Sequence, residues 1–206
     1  MAEGVELVCF DLGRVLIRIC DGWPHACRLA GVPVHEGVSS LSRSAVGELV
    51  VELDCGRLSS DAFAEAAAEH LGLTPAQVRR ATDSYLLGPF EGVTELLADV
   101  RAAGYKTACL SNTHDSHWRM MTSPGTNRLP LEQLDWRFAS HLLGLHKPDP
   151  AIYEAVEHQT GIPGPAILFF DDLEANIEAA RRRGWHGHVI TPDTSPVTQV
   201  RSRLGL

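Results

Sequence analysis

Short apolar runs that each stop at a polar cluster constrain the fold of this chain more than any other feature. Three such runs cover residues 5–10, 106–110 and 166–170. Apolar, strand-forming runs of this length, bounded by turn-forming residues, are typical of buried strands. Residues 188–190 form a shorter fourth candidate. We therefore expect a sheet whose strands end in polar side chains.

Amphipathic helical patterns separate the predicted strands. Residues 92–103 place apolar side chains on one face, and residues 150–158 and 173–183 show the same kind of spacing. Strands that alternate with helices predict a parallel sheet joined by right-handed crossovers. The sequence therefore predicts an α/β fold with a Rossmann-like, three-layer α/β/α core.

The stretch between the first predicted strand and the rest of the sheet has a different character. It shows no convincing strand pattern and several helical patterns, including residues 60–71. We interpret it as an inserted α-helical cap above the carboxyl ends of the strands, where open α/β sheets bind ligands. The predicted division is a catalytic core at residues 1–16 and 89–206 and a cap at residues 17–88.

Composition argues against several classes of protein. A net charge of -8 is unlike the basic surface of a nucleic-acid binder. The apolar runs are far shorter than the roughly 20 residues of a membrane helix, and the first residues lack the basic start of a signal peptide. The five cysteines show no paired spacing, which fits a reducing compartment, and the pair His114 and His117 lacks the other ligands of a zinc site. We expect a cytoplasmic protein that binds neither nucleic acid nor membrane; its oligomeric state is not predicted.

Carboxylates follow two of the predicted strands. Asp11 follows the first, where an Asp serves either as a turn former or as a nucleophile. Asp171 and Asp172 follow the third, where adjacent carboxylates are unfavourable unless a cation compensates them. They could instead form an acidic helix start. Mg²⁺ prefers oxygen ligands of this kind, so the pair is also a candidate metal site.

Hydrogen-bond donors and a cation complete the set. Ser111 and Asn112 follow the second predicted strand, either as a polar turn or as donors to phosphoryl oxygens. Lys147 precedes Pro148, and the prolines stiffen this segment and fix the direction of the lysine side chain. Because parallel strands end at the same edge of a sheet, we expect the clusters that follow them to share one site.

The ordered motifs resemble those of the haloacid dehalogenase-like hydrolases over nearly the whole chain. Residues 55–59 (CGRLS) also resemble a stretch common in the helical caps of that superfamily. The four matching motifs are residues 10–16, 110–113, 146–150 and 169–172. This ordered set is much more specific for the fold than for the reaction.

The resemblance implies a hydrolase of small phosphorylated metabolites that depends on Mg²⁺. Asp11 would attack phosphorus and form an aspartyl-phosphate. Asp11, the backbone carbonyl of Gly13, and Asp172 would bind Mg²⁺, while Asp171 would support the metal shell or pair with Lys147. In physical terms, such a site works by positioning and by electrostatic stabilisation of phosphoryl transfer.

The resemblance also implies roles around the phosphate, and two positions depart from the family pattern. Ser111 and the amide of Asn112 would hold phosphoryl oxygens, and Lys147 would offset negative charge. Gly13 stands where phosphatases of the family usually carry a second Asp as general acid, a function worth about 10²–10⁴-fold in rate. Arg14 stands where a small or neutral residue is commoner; it could bind substrate phosphate or point away from the site.

Two alternative functions stay open at the level of sequence. A 2-haloacid dehalogenase uses the same nucleophile on carbon, needs no metal and also lacks the second Asp. The pair Asp171 and Asp172 favours phosphate chemistry over that reaction. A non-catalytic protein that binds a phosphorylated ligand would explain Gly13 and Arg14, although the joint presence of the other site residues argues against it.

Overall fold

A parallel five-stranded sheet forms the centre of the computed structural model, which describes residues 4–34 and 45–206. Its strands are β1 (Leu7–Phe10), β4 (Lys106–Ser111), β5 (Trp136–Ala139), β6 (Ile167–Asp171) and β7 (His186–Val189). The strand order is β5-β4-β1-β6-β7, so the first strand lies in the middle. The predicted Rossmann-like α/β fold is confirmed.

Helices cover both faces of this sheet, because alternate residues of each strand point to opposite sides. Val8 and Phe10 of β1 belong to one apolar core, and Leu7 and Cys9 belong to the other. The first core is covered mainly by α5 (Val93–Ala102) and α10 (Pro196–Leu204), and the second by α8 (Pro150–Thr160) and α9 (Glu174–Arg182). Two shorter helices are α6 (Asp115–Thr122) and α7 (Ser140–Leu143). In the two described ranges, no helix is long and apolar enough to cross a membrane.

In its described residues, the segment between β1 and α5 carries four helices with an apolar core of their own. These are α1 (Trp23–Leu29), α2 (Ala45–Asp54), α3 (Ser60–Leu71) and α4 (Pro75–Asp83). Helix α3 has the bounds expected from sequence, since Ser59 caps its first turn and Gly72 ends it in the left-handed conformation with φ of 63°. We keep the name insertion for residues 17–88, and the exact division into core and cap stays a prediction.

The expectation that the insertion contains no strand is wrong. Strand β2 (Ile17–Ile19) pairs antiparallel with β3 (Leu86–Pro89). Strands of three and four residues are too short to show an alternating pattern, and Gly88 and Pro89 disguise the second one. This small sheet places the two ends of the insertion side by side, next to the carboxyl end of β1.

Candidate active site

The carboxyl ends of β1, β4 and β6 bring the predicted site residues together. Asp11 follows β1, Ser111 ends β4 and Asp171 ends β6. A cavity of about 470 Å³ opens at this edge of the sheet. Every predicted site residue except Asp171 lines it: Asp11, Gly13, Arg14, Ser111, Asn112, Lys147 and Asp172.

Lys147 is the buried cation of the site. Its ammonium nitrogen lies 3.0 Å from Asp11 Oδ1 and 2.6 Å from Asp171 Oδ2, and only 1% of its side chain is exposed. Burial alone would lower its pKa, but the two carboxylates outweigh burial and raise the pKa above the ordinary lysine value. Lys147 is therefore a charged group held in a fixed position between two acids.

Asp171 is occupied by hydrogen bonds on both of its oxygens. Oδ1 accepts from the backbone N–H of Leu173 at 2.8 Å and from Asn176 Nδ2 at 3.0 Å. Oδ2 accepts from Lys147 and lies 3.0 Å from the same Asn176 nitrogen. The side chain is fully buried. Asp171 therefore anchors Lys147. Because both of its oxygens already accept hydrogen bonds, Asp171 would attract a metal through its negative charge more than through direct coordination.

Asp11 and Asp172 supply the oxygens that a metal would use. Oxygens of these two residues and of Asp171 all lie within 4.8 Å of one another. Burial raises the pKa of Asp11 to about 7, against the opposing effect of Lys147, and it also raises the pKa of Asp172. Although Lys147 lies close to Asp11 Oδ1, that buried atom accepts no well-aligned hydrogen bond from any residue that the structure describes. A hard divalent cation fits this crowded carboxylate group.

Arg14 points towards the site and not away from it. Its guanidinium Nε lies 3.7 Å from Asp172 Oδ2, and Nη2 lies 3.3 Å from Asp21 Oδ1 and donates to the carbonyl of Cys20. The backbone of Arg14 has a φ of 58°, a left-handed conformation that is unusual for a residue with a side chain. Arg14 thus links the carboxylate of Asp172 to the start of the insertion.

Asn112 holds the segment that carries Lys147. The side-chain Nδ2 donates to the carbonyl of Lys147 at 3.0 Å, and Oδ1 accepts from the backbone N–H of Lys147 at 2.8 Å. This reciprocal pair fixes the lysine backbone against the end of β4. The sequence predicted only a backbone role for Asn112, at the phosphoryl oxygens, and that role stays a prediction, as does that of Ser111, which is buried in the cavity wall.

Sequence reasoning missed the two other polar side chains of the cavity wall, Asn176 and Tyr85. Asn176 lies in the first half of α9, and its buried amide orients Asp171. A buried Asn five positions after Asp171, in a helix otherwise rich in Ala and Glu, was the available signal. Tyr85 reaches the cavity from the end of the insertion, and nothing in its local pattern distinguishes it from a core aromatic.

The insertion approaches the core closely beside the site. Gly56 has a φ of 70°, and a Cβ at this position would lie 2.6 Å from the carbonyl oxygen of His141 in the core. The next residue, Arg57, forms a two-pronged ion pair with Glu52, with both hydrogen bonds at 2.7 Å. Ser140 Oγ accepts from Thr113 N–H at 2.8 Å and lies 2.5 Å from the backbone oxygen of the insertion's Asp54. The CGRLS stretch therefore forms part of the contact between insertion and core.

Comparison with known proteins gives this architecture a family. The family model of haloacid dehalogenase-like hydrolases matches residues 7–184. The sesquiterpene phosphatase astK of Aspergillus oryzae is 24% identical over 214 residues, which cover 100% of both chains. The (S)-2-haloacid dehalogenase of a Pseudomonas species is 31% identical over 119 residues, which cover 56% of this chain and 50% of that enzyme. In the curated relatives that this chain matches, the aligned stretch spans from 11% to 100% of the relative's own length.

Solved structures agree with the fold assignment. The HAD family enzyme bt-2542 of Bacteroides thetaiotaomicron superimposes with a TM-score of 0.81 at 21% identity, and the match covers 97% of this chain and 100% of that one. The same enzyme has been solved in complex with magnesium and inorganic phosphate, and that structure matches with a TM-score of 0.75 at 22% identity, over 92% of this chain and 96% of that one.

Proposed function

This chain belongs to the haloacid dehalogenase-like hydrolase family, and we propose that it hydrolyses small phosphomonoesters with the help of Mg²⁺. The observation that carries the proposal is the buried group of three carboxylates around a single fixed ammonium. Such a group has excess negative charge in a low-dielectric setting, which a divalent cation would neutralise. A dehalogenase reaction on carbon, which uses no metal, does not require this excess negative charge.

In the proposed reaction, an oxygen of Asp11 bonds to phosphorus while the bond from phosphorus to the alcohol oxygen breaks. Water then attacks phosphorus and releases inorganic phosphate and the free Asp11 carboxylate. Asp11, Asp172 and the carbonyl of Gly13 would hold Mg²⁺, which when bound neutralises phosphoryl charge. Ser111 would donate a hydrogen bond to a phosphoryl oxygen.

Lys147 is the protein's own source of positive charge next to the nucleophile. Its ammonium is fixed 3.0 Å from the nucleophilic carboxylate, so charge that develops on the phosphoryl group would meet a cation that needs no reorganisation. Asp171, Asn176 and Asn112 keep it there through hydrogen bonds to its side chain, to its partner and to its backbone. Arg14 would add positive charge at the mouth of the cavity.

Gly13 leaves the alcohol without a dedicated proton donor. Among the described residues that line the cavity, the only carboxyl groups are Asp11 and Asp172, and both have other roles in this mechanism. The rate should therefore depend strongly on how stable the departing alcohol is as an anion. Aryl phosphates should therefore react faster than alkyl phosphates. The ratio of the two rates should be larger than in family members that carry the second Asp.

The relatives support both the proposal and one competitor. The Aspergillus relative is named a phosphatase, and the Bacteroides enzyme binds magnesium and phosphate in its solved complex. The Pseudomonas relative is named a dehalogenase, and Gly13 suits that reaction as well. We favour phosphate hydrolysis because the structure keeps Asp172 beside Asp11 and Asp171.

The test is phosphate release from a panel of phosphomonoesters, including p-nitrophenyl phosphate, with Mg²⁺ and with EDTA. We expect turnover with Mg²⁺, none with EDTA, and none in Asp11→Asn. Asp61→Asn, at an exposed carboxylate of the insertion, is the matched control and should keep full activity. Halide release from 2-haloacids without metal, together with no phosphate release, would refute the proposal and would support the dehalogenase reaction.

A further inference from the structure

A second cavity lies between the insertion and the core, beyond the candidate active site. It has a volume of about 200 Å³, and we call it the inner cavity. The insertion contributes the apolar side chains of Trp23, Val50, Leu53 and Phe63 to its wall. Helix α6 and the residues before it contribute polar groups from the core, among them the pair His114 and His117, whose ring centroids lie 4.0 Å apart.

The inner cavity lies close to the site of the nucleophile. A small cavity of about 90 Å³ lies between the two. It shares Gly13 and Ser111 with the active-site cavity, and Thr113 and His117 with the inner cavity. Tyr85 and Asn112 line all three spaces, which therefore lie next to one another, beginning at Asp11. A phosphomonoester with its phosphate at Asp11 could extend its alcohol portion towards the inner cavity.

The wall of the inner cavity disfavours anionic ligands. The described residues of its wall include no Lys or Arg, and they include the carboxylate of Asp54. Burial, together with His117 and His141, lowers the pKa of His114 to about 2, so this imidazole is neutral at physiological pH. An anionic group in the cavity would lose its hydration and meet no compensating cation.

One polar atom in this wall lacks a partner. Among the described residues, His114 Nδ1 has no hydrogen-bond partner, and only 5% of His114 is exposed. Buried polar groups in proteins nearly always find a partner, so a small rotation of this ring towards the inner cavity would let a polar group of a ligand supply one. The other histidine is satisfied, because His117 Nε2 lies 2.8 Å from the carbonyl oxygen of Thr82.

We propose that the inner cavity binds the alcohol portion of the substrate, and that this portion is compact, mostly apolar and free of negative charge, with one polar group that hydrogen-bonds to His114. This inference rests on the proposed function, because it places the phosphate at Asp11. The volume sets the size. Drug-sized ligands fill roughly 300–1,000 Å³, whereas a dry cavity of roughly 150 Å³ already binds benzene. A single ring or a short branched chain suits the inner cavity.

The experiment measures binding of non-hydrolysable phosphonates by calorimetry in the presence of Mg²⁺. Benzylphosphonate should bind the wild type at least about tenfold more tightly than methylphosphonate does, since it buries an additional apolar ring. It should also bind more tightly than 4-carboxybenzylphosphonate. Val50→Trp fills the inner cavity and should abolish the preference for benzylphosphonate without changing methylphosphonate binding.

The neighbouring residue Val51 provides the matched control. Val51 is exposed on the same helix and lies outside the cavity wall, so Val51→Trp should retain the wild-type preference. Thermal unfolding verifies that both variants fold, and Val50→Phe replaces Val50→Trp if the larger side chain prevents folding.

Equal binding of benzylphosphonate and methylphosphonate to the wild type would overturn the inference. So would a preference that survives in Val50→Trp, which would place the alcohol in the open groove of about 630 Å³ next to Arg14. Phosphate release is measured separately. A ring preference that depends on Val50, in a protein without turnover, would support the cavity while refuting the proposed function; turnover without any ring preference would do the reverse.

Discussion

Removal of the Lys147 ammonium is the perturbation that most sharply tests the electrostatics of the site. Lys147→Met keeps most of the length of the side chain and removes its charge, which leaves Asp11 and Asp171 without their shared cation. Loss of one partner from a buried ion pair costs about 3–5 kcal/mol, because the other charge stays buried without compensation. Asp171 keeps its hydrogen bonds from Leu173 and Asn176, so the penalty falls mainly on Asp11. We therefore expect the lower end of that range, about 3 kcal/mol.

Urea unfolding at pH 9, followed by tryptophan fluorescence with EDTA present, measures this loss. Burial raises the pKa of Asp11 to about 7, so the wild-type carboxyl is ionised at that pH and needs the ammonium. The chain has one other lysine, Lys106, whose side chain is about half exposed. Lys106→Met should change the free energy of unfolding by less than about 0.5 kcal/mol, as surface substitutions do.

The double variant Lys147→Met/Asp11→Asn isolates the uncompensated charge. The second substitution makes the nucleophile neutral, so it should restore at least about 1 kcal/mol relative to Lys147→Met alone. A loss below about 1 kcal/mol in Lys147→Met, or a further loss in the double variant, would refute the reasoning that this ammonium compensates a buried carboxylate.

Two further predictions concern the contact between insertion and core and the acid stability of the protein. Gly56→Ala should lower the free energy of unfolding by at least about 1 kcal/mol more than Gly161→Ala does. Both glycines have φ near 70°, but only a side chain at Gly56 would clash with a carbonyl oxygen. Equal losses of the two variants in urea unfolding would argue against the close approach. His114 has its pKa lowered to about 2 by burial, so between about pH 2 and 6.5 the unfolded state binds the additional proton. Stability should therefore fall as pH drops below about 6.5, by up to about 1.4 kcal/mol per pH unit from this group, and His114→Asn should show a shallower dependence. An identical pH profile in wild type and variant would contradict that interpretation.

The long-range placement of the site could be predicted from sequence because it follows from a simple rule. Asp11, Ser111 and Asp171 each end or follow an apolar run, and parallel strands share an edge, so their meeting needs no knowledge of side-chain packing. The same rule gave the core strands β1, β4 and β6 to within two residues. Strand β5 was not predicted, because Trp136–Ala139 is short and includes the exposed Arg137.

The partners of individual side chains were beyond the sequence. Spacing could not decide whether Asp171 would face a metal or Lys147, since that depends on the Asn176 amide and on the turn at Leu173. Nor could it show that Arg14 turns towards Asp172, because a left-handed backbone at a non-glycine residue leaves no local signature. The inner cavity is formed by segments that are far apart in the chain, so no single sequence motif predicts it.

The most direct test of the central claim is to trap the covalent intermediate on Asp11. Borohydride reduces an aspartyl-phosphate to homoserine, and mass spectrometry of the peptide that contains Asp11 identifies the product. With p-nitrophenyl phosphate and Mg²⁺, we predict homoserine at position 11, and none when EDTA replaces Mg²⁺ or when substrate is omitted. Phosphate release with an unmodified Asp11 peptide, or reduction at another residue, would contradict the account.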